Sequence, residues 1–246
     1  MTQLLAAARD LGERSVRRLP AARRLRFELA LRALERFADG QPIHVLDAGC
    51  GEGLFAELAA RRHPTWRVAG FDADLPLLQR ARQSAENEGV TVSFEQRDLT
   101  GDLGDCIFDA VVALECLEEI DHDTEALARM VDALKPGGLL LVHVPERNWE
   151  PVFGGSERVW RHEVRHGYDT SELRAKLERA GAQVVSLVGT SRGTVRVAQE
   201  LRDRIKTSRL SIRLLALPLS AAAVRLEGWH MTWGRPRALF AQARKP

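Results

Sequence analysis

The stretch VLDAGCGEG, residues 45–53, decides how the chain is read. Three glycines, two acids and a cysteine follow a short apolar run. Side chains are nearly absent, so a ligand can approach the backbone there closely. Glycine turns of this kind serve nicotinamide, flavin, nucleotide and sulfonium cofactors, and spacing must separate them. A dinucleotide turn needs a third glycine three residues after the second, to bring helix and strand close. That position is Leu54 here, and the pattern is G-x-G-x-G behind Asp47. A phosphate loop would add Lys-Ser or Lys-Thr after its glycines, and none follows.

Working outward, apolar runs and amphipathic runs alternate. PIHVLDAG reads as a buried strand over 43–48, GLFAELAARR as a helix and WRVAGFD as a strand over 66–71. LPLLQRARQSAENEG reads as a helix closed by Gly89, and VTVSFEQRD as a third strand. CIFDAVVALE supplies a fourth strand over 107–113, and GLLLVHV a fifth over 138–144. Between them TEALARMVDAL reads as a helix capped by Asp121 or Asp123 and ended by Lys135-Pro136-Gly137. Ahead of the glycine turn, residues 21–38 place Leu25, Phe27, Leu29, Leu31, Leu34 and Phe37 on one broad face of an amphipathic helix. Such alternation predicts a parallel sheet wrapped by helices on both faces, with ligands at the carboxyl ends of its strands.

The tail breaks that rhythm. DTSELRAKLERAG shows Asp169 and Glu172 at capping-box spacing, followed by a sixth strand, AQVVSLVG. A seventh strand, RALFAQARK, comes at the end of the chain. An insertion over 190–235 separates the two and reads as two helices, the second broken by Pro218. Residues 1–39 form an N-terminal helical segment, and 40–189 with 236–246 the core domain.

Composition narrows the function classes. The formal charge of +2 over 246 residues offers no field for nucleic acid. Only four of the 36 basic residues are lysines, so an isolated arginine carries little functional weight. Cys50, Cys106 and Cys116 make no CxxC pair, which fits a reducing cytoplasm. The first twenty residues carry charges throughout and do not read as a secretory signal. The longest apolar run, 214–224, is well short of the roughly 20 residues that a membrane span needs.

VLDAGCGEG, GFDAD, RDL, FDAVVALECLEEI and LKPGG, in this order and spacing, resemble the class I S-adenosylmethionine-dependent methyltransferases of small-molecule type. The resemblance covers 40–190 and resumes over 236–244. It implies a Rossmann-like α/β fold with a seven-stranded, doubly wound, mostly parallel sheet and an antiparallel last strand. It implies S-adenosyl-L-methionine as cofactor, with Gly49 and Gly51 against its methionine part and Asp47 near its amino group. Asp72 would take the ribose, Asp98 and Leu99 would face the adenine, and the Leu114 carbonyl would meet the methionine end. Cys50 and Ala73 complete the implied cofactor set.

Catalytic residues are harder to foresee, because the cofactor carries the difficult chemistry. Glu115 and His143, at the ends of the fourth and fifth strands, are the candidate proton-handling groups. Many relatives carry a histidine in the Glu-x-x-Glu-His cluster after the fourth strand. Glu119 stands in its place here, and Glu115, Glu118 and Glu119 read as acids at a helix start rather than as a metal site. RHEVRHGYDTSEL, 161–173, resembles a segment bordering the acceptor pocket in small-molecule members, which makes His162, Arg165 and Tyr168 candidate substrate contacts.

Seven arginines over 9–26, and an apolar stretch with Trp229 and Trp233 inside the insertion, point to an amphipathic acceptor. Three readings of the insertion stand open: a roof over the acceptor, a homodimer contact, or a peripheral membrane contact. The expectation is methylation of a small hydrophobic or amphipathic metabolite, on oxygen by preference, in the cytoplasm. A membrane lipid or lipid-linked glycan is the second acceptor class. A cofactor-binding regulatory subunit without catalysis is the reading from another class.

Overall fold

The computed structural model describes residues 20–150, 164–192 and 235–246, with 197 and 200. The expected roof over 190–235 and His162 therefore fall almost wholly outside the described residues.

Helix α1 (Ala21–Ala38) precedes strand β1 (His44–Ala48), and helix α2 (Leu54–Arg62) leads to β2 (Arg67–Asp72). Helix α3 (Leu75–Asn87), β3 (Ser93–Gln96) and β4 (Phe108–Leu114) follow. After a short 3-10 turn (Leu117–Glu119) come α4 (Asp123–Ala133) and β5 (Leu134–Pro145). Helix α5 (Thr170–Arg179), β6 (Gln183–Thr190) and β7 (Ala238–Arg244) complete the order.

The seven strands form one sheet in the order β3-β2-β1-β4-β5-β7-β6. Pairings are parallel from β3 through β5, and β7 runs antiparallel to both β5 and β6. Strand order reverses between β1 and β4, and in open parallel sheets ligands settle outside such a switch point. The glycine turn leaves β1 at that place.

Both faces of the sheet are covered, as near-continuous apolar strands require. On one face, Phe27, Ala30, Leu31 and Leu34 of α1 share a core with α2, α3 and Val45, Val112 and Leu141 of the sheet. On the other, Leu127 and Met130 of α4 and Leu173 and Leu177 of α5 pack on Leu46, Val111 and Leu140. Helix α1 thus belongs to the same core as the sheet. It starts after Pro20 and stops at Asp39, whose left-handed φ of 45° turns the chain toward β1.

Two strands differ from the sequence expectation by more than one residue. The third strand shrinks to Ser93–Gln96, since only those residues pair with β2. Strand β5 begins at Leu134, opposite Phe108, and a register shift carries Lys135–Gly138 past β4 before regular pairing resumes at Leu139. Lys135-Pro136-Gly137 thus ends the helix while already lying in the strand.

The caps divide in the same way. Asp169 caps α5, its Oδ1 accepting from the Glu172 N–H at 2.8 Å. Helix α4 is not capped by Asp121 or Asp123. His122 holds the cap position without a side-chain hydrogen bond, and Asp123 is turned into the protein. The partners that draw it inward are described below.

Candidate active site

The bare turn is built for close approach. Gly49 N–H and Cys50 N–H both donate to the Phe71 carbonyl, at 2.8 and 3.0 Å, which ties the end of β1 to β2. Gly49 adopts φ +73°, and a Cβ there would lie 2.5 Å from the Cys116 Cβ. A Cβ on Gly51 would meet nothing within 4 Å, so the backbone at Gly51 faces open space. Its N–H donates to Asp72 Oδ2 at 2.7 Å. Asp74 N–H donates to the other oxygen, Oδ1, at 2.9 Å. The Asp72 carboxylate is thereby fixed at the lip of the crevice, and each oxygen keeps a lone pair for a ligand.

Asp47 lies beneath it, only 3% exposed. Burial pushes its carboxyl up to about 7. The Ala56 N–H offsets part of that rise, the charge on Asp72 adds to it, and Arg26 again offsets a part. No ion pair to Asp47 occurs among the described residues. Cys50 is also pushed upward by burial, and further by Asp47 and Asp72, which makes its thiol a poor nucleophile. Leu114 and Leu99 are buried at the strand ends. Ala73 is exposed, and its carbonyl accepts from Gln96 Nε2 at 3.0 Å. The exposed Asp98 closes its own turn, with Oδ1 accepting from Thr100 N–H at 2.8 Å and Thr100 Oγ1 at 2.7 Å. These bonds hold it below the usual carboxylate value.

A second assembly stands at the ends of β4 and β5. Glu115 takes a left-handed φ of 59°, uncommon and costly for a residue with a Cβ. Its N–H donates to the His143 carbonyl at 2.8 Å. Its side chain bridges two partners: Oε1 lies 2.9 Å from His143 Nδ1 and Oε2 3.0 Å from Arg26 Nη1. His143 Nε2 lies 3.2 Å from Thr190 Oγ1. Nδ1–H can donate to Glu115, and Nε2 shares the second contact with the Thr190 hydroxyl, which also lies 3.4 Å from the Ala238 carbonyl it donates to. Both ring nitrogens are then engaged, and the half-exposed Glu115 is the group that can meet a ligand. A cavity of about 140 Å³ opens here, lined by Arg23, Arg26, Glu115, His143, Ser191 and Arg237 among others. The sequence expectation named Glu115 and His143 as separate candidates by strand-end position, without their contact. It passed over Arg26 and Thr190, which no local pattern distinguishes.

The 161–173 segment receives a different role from the one its resemblance implied. Tyr168 is wholly buried, and its hydroxyl donates to Asp123 Oδ2 at 2.7 Å. Arg165 Nη1 reaches the same carboxylate at 2.6 Å, and Lys176 Nζ reaches Oδ1 at 2.5 Å. Arg165 also pairs with Glu172, as does Arg147. Burial alone would raise the Asp123 carboxyl, but the bonds from Lys176, Tyr168 and Arg165 bring it below its usual value. Arg165 and Tyr168 fasten the segment to α4 and α5, and neither lines the cavity beside His143. Glu118, buried in the same layer, accepts the Val164 and Arg165 N–H groups with its backbone carbonyl.

Comparison with known proteins agrees with this geometry. Residues 22–187 match the model of a methyltransferase domain family. The chain is 32% identical over 175 residues to a ubiquinone biosynthesis O-methyltransferase of Dinoroseobacter shibae, covering 66% of this chain and 68% of that protein. It is 30% identical over 146 residues to a trans-aconitate 2-methyltransferase of Rhodopseudomonas palustris, covering 57% of this chain and about half, 54%, of that protein. Among solved structures, the [4+2]-cyclase SpnF superposes with a TM-score of 0.61 at 25% identity, covering 88% of this chain and 82% of that one. A sarcosine dimethylglycine methyltransferase from Galdieria sulphuraria, described as putative, reaches 0.65 at 12% identity, covering 90% and 86%, a likeness of fold alone. A family match running from the first helix into the sixth strand accounts for the sheet, the bare turn and the acids beside it together: the chain belongs to the class I S-adenosylmethionine-dependent methyltransferases.

Proposed function

We propose that the protein methylates an oxygen of a small amphipathic acceptor, with S-adenosyl-L-methionine bound at the glycine turn. The observation that carries this reading is the adjacency of the two assemblies. The open backbone at Gly51 and the Glu115–His143 pair both sit at strand ends on the same rim of the sheet.

The residues fit the cofactor. Gly51 leaves room that a side chain would fill, and Asp72 offers fixed acceptor oxygens to a diol. Asp47 offers a buried carboxylate to a positive amino group, and Leu99 an apolar wall. The family motifs assign Asp98, Cys50, Ala73 and Leu114 to the same site. S-adenosylmethionine supplies a methyl group activated by positive sulfur. The protein must then hold the acceptor in line, keep water out and receive a proton. An acceptor hydroxyl becomes acidic as its oxygen gains a bond, so a carboxylate is a sufficient base at that moment. Glu115 is placed to take that proton, and His143 holds its carboxylate in position through Nδ1–H.

Oxygen as the methylated atom draws support from the ubiquinone biosynthesis O-methyltransferase relative. A cytoplasmic setting goes with the three free thiols. Among the described residues no helix is long and apolar enough to cross a membrane. Because SpnF shares the fold as a cyclase, methyl transfer has to be measured directly.

The test is incubation with methyl-labelled S-adenosylmethionine and extract of the source organism, followed by phase separation. Label in a small organic-soluble product supports this reading. Label in lipid pellets would favour the bilayer acceptor. Cofactor binding with no labelled product would overturn catalysis in favour of a regulatory subunit.

A further inference from the structure

We infer that the acceptor carries an anionic oxygen-acid group, a carboxylate or a phosphate, received by Arg23, Arg26 and Arg237 in the cavity beside Glu115. The inference rests on the methyl-transfer reading above and names the chemistry of its acceptor.

Three guanidinium groups line one cavity of about 140 Å³ and face a single carboxylate among its described lining residues. They arrive from opposite ends of the chain. Arg23 and Arg26 stand in the first turns of α1, and Arg237 immediately precedes β7. Arg26 Nη1 pairs with Glu115 Oε2 at 3.0 Å. The Nε of the same guanidinium is buried without a hydrogen-bond acceptor among the described residues. A buried cationic donor lacking an acceptor is costly in the ligand-free protein, and a ligand oxygen can satisfy it.

Arg237 is held for the same task. Its backbone N–H donates to the Thr190 carbonyl at 3.1 Å, which sets it over the strand end that supports His143. Its guanidinium stacks on the Trp149 ring, 4.7 Å from the centroid. Stacking uses the face of the guanidinium, and the in-plane N–H groups are the donors that meet an oxygen acid. An acid group on these arginines fixes one end of the acceptor and sets the rest of it beside Glu115.

Calorimetric titrations of the full chain, with and without S-adenosylhomocysteine, test this using decanoate, decyl phosphate and decanol below their aggregation limits. At least one anion should bind about tenfold or more tighter than the neutral alcohol, as charge-assisted pairs to guanidinium require. Preference between the two anions assigns carboxylate or phosphate. Arg23→Gln and Arg237→Gln should each weaken the preferred anion about fivefold or more, with decanol and S-adenosylhomocysteine binding unchanged. Decanol binding as tightly as both anions, or anion affinity unmoved in both variants, would overturn the inference. Anion binding that persists while S-adenosylhomocysteine fails to bind would instead strike the cofactor reading, so the two failures are distinguishable.

Discussion

Asp47 and Asp123 are equally buried, each 3% exposed, and their surroundings differ in almost everything else. Asp123 lies between α4 and α5 and takes bonds from Lys176, Arg165 and Tyr168, so its carboxyl falls below the usual value. Asp47 lies under the glycine turn without an ion pair among the described residues, and burial lifts it to about 7. A buried carboxylate that already holds its cations is part of the architecture. One that lacks them is a place for a ligand that brings a positive charge. The comparison separates residues that a family resemblance would group together. Arg165 and Tyr168 make structural bonds, and Asp47 and Asp72 remain the proposed cofactor acids.

The largest effect that can break this comparison lies at Asp123. Asp123→Ala leaves Lys176 and Arg165 without their shared partner, and losing one side of such a network costs roughly 3–5 kcal/mol. Urea unfolding followed by circular dichroism should show that loss, and a change below about 1 kcal/mol would contradict the structural role.

Asp72→Ala comes next. It removes charge-assisted bonds to the Gly51 and Asp74 N–H groups as well as the oxygens offered to a ribose. Affinity for S-adenosylmethionine should fall by about one to two orders of magnitude, from roughly 1.5–3 kcal/mol of such bonds. Calorimetry checks it, and unchanged affinity removes Asp72 from the site.

Thr190→Val is the mildest. It keeps the volume and deletes the hydroxyl that meets His143 Nε2, a bond worth about 1 kcal/mol. Turnover should drop a few-fold with cofactor affinity intact. An equal drop in cofactor affinity would place the His143 assembly on the cofactor side.

What was legible in the sequence follows the range of the interactions. The strands, the glycine turn and Asp72 at the end of β2 rest on local pattern and on one adjacent βα unit, and the sheet places them as expected. Glu115 and His143 were legible from strand-end logic, because neighbouring parallel strands bring their carboxyl ends together. Arg26 and Thr190 were not. Arg26 is one basic residue on a helix full of them, and its partner is 89 positions away. Asp123 misled for the opposite reason. An acid ahead of an amphipathic run has the local mark of a cap, yet Tyr168 and Lys176, 45 and 53 positions on, outweigh the free helix N–H groups. His162 and the 190–235 insertion lie outside the described residues.

The role proposed for Asp47 is to receive the positive amino group of the cofactor. An acid raised from about 4 to about 7 holds a proton in the folded state across that window, while the unfolded chain has released it. Stability from this group therefore falls as pH rises through the window, and Asp47→Asn should stabilise the ligand-free protein above about pH 7. Calorimetric titration of S-adenosylmethionine into the wild type and Asp47→Asn, at about pH 6 and about pH 8, tests the claim most directly. Wild-type affinity should rise roughly tenfold across the interval as Asp47 ionises, and Asp47→Asn should bind weakly with no such rise. Equal affinity of the two proteins at both values, or no binding by the wild type, would contradict it.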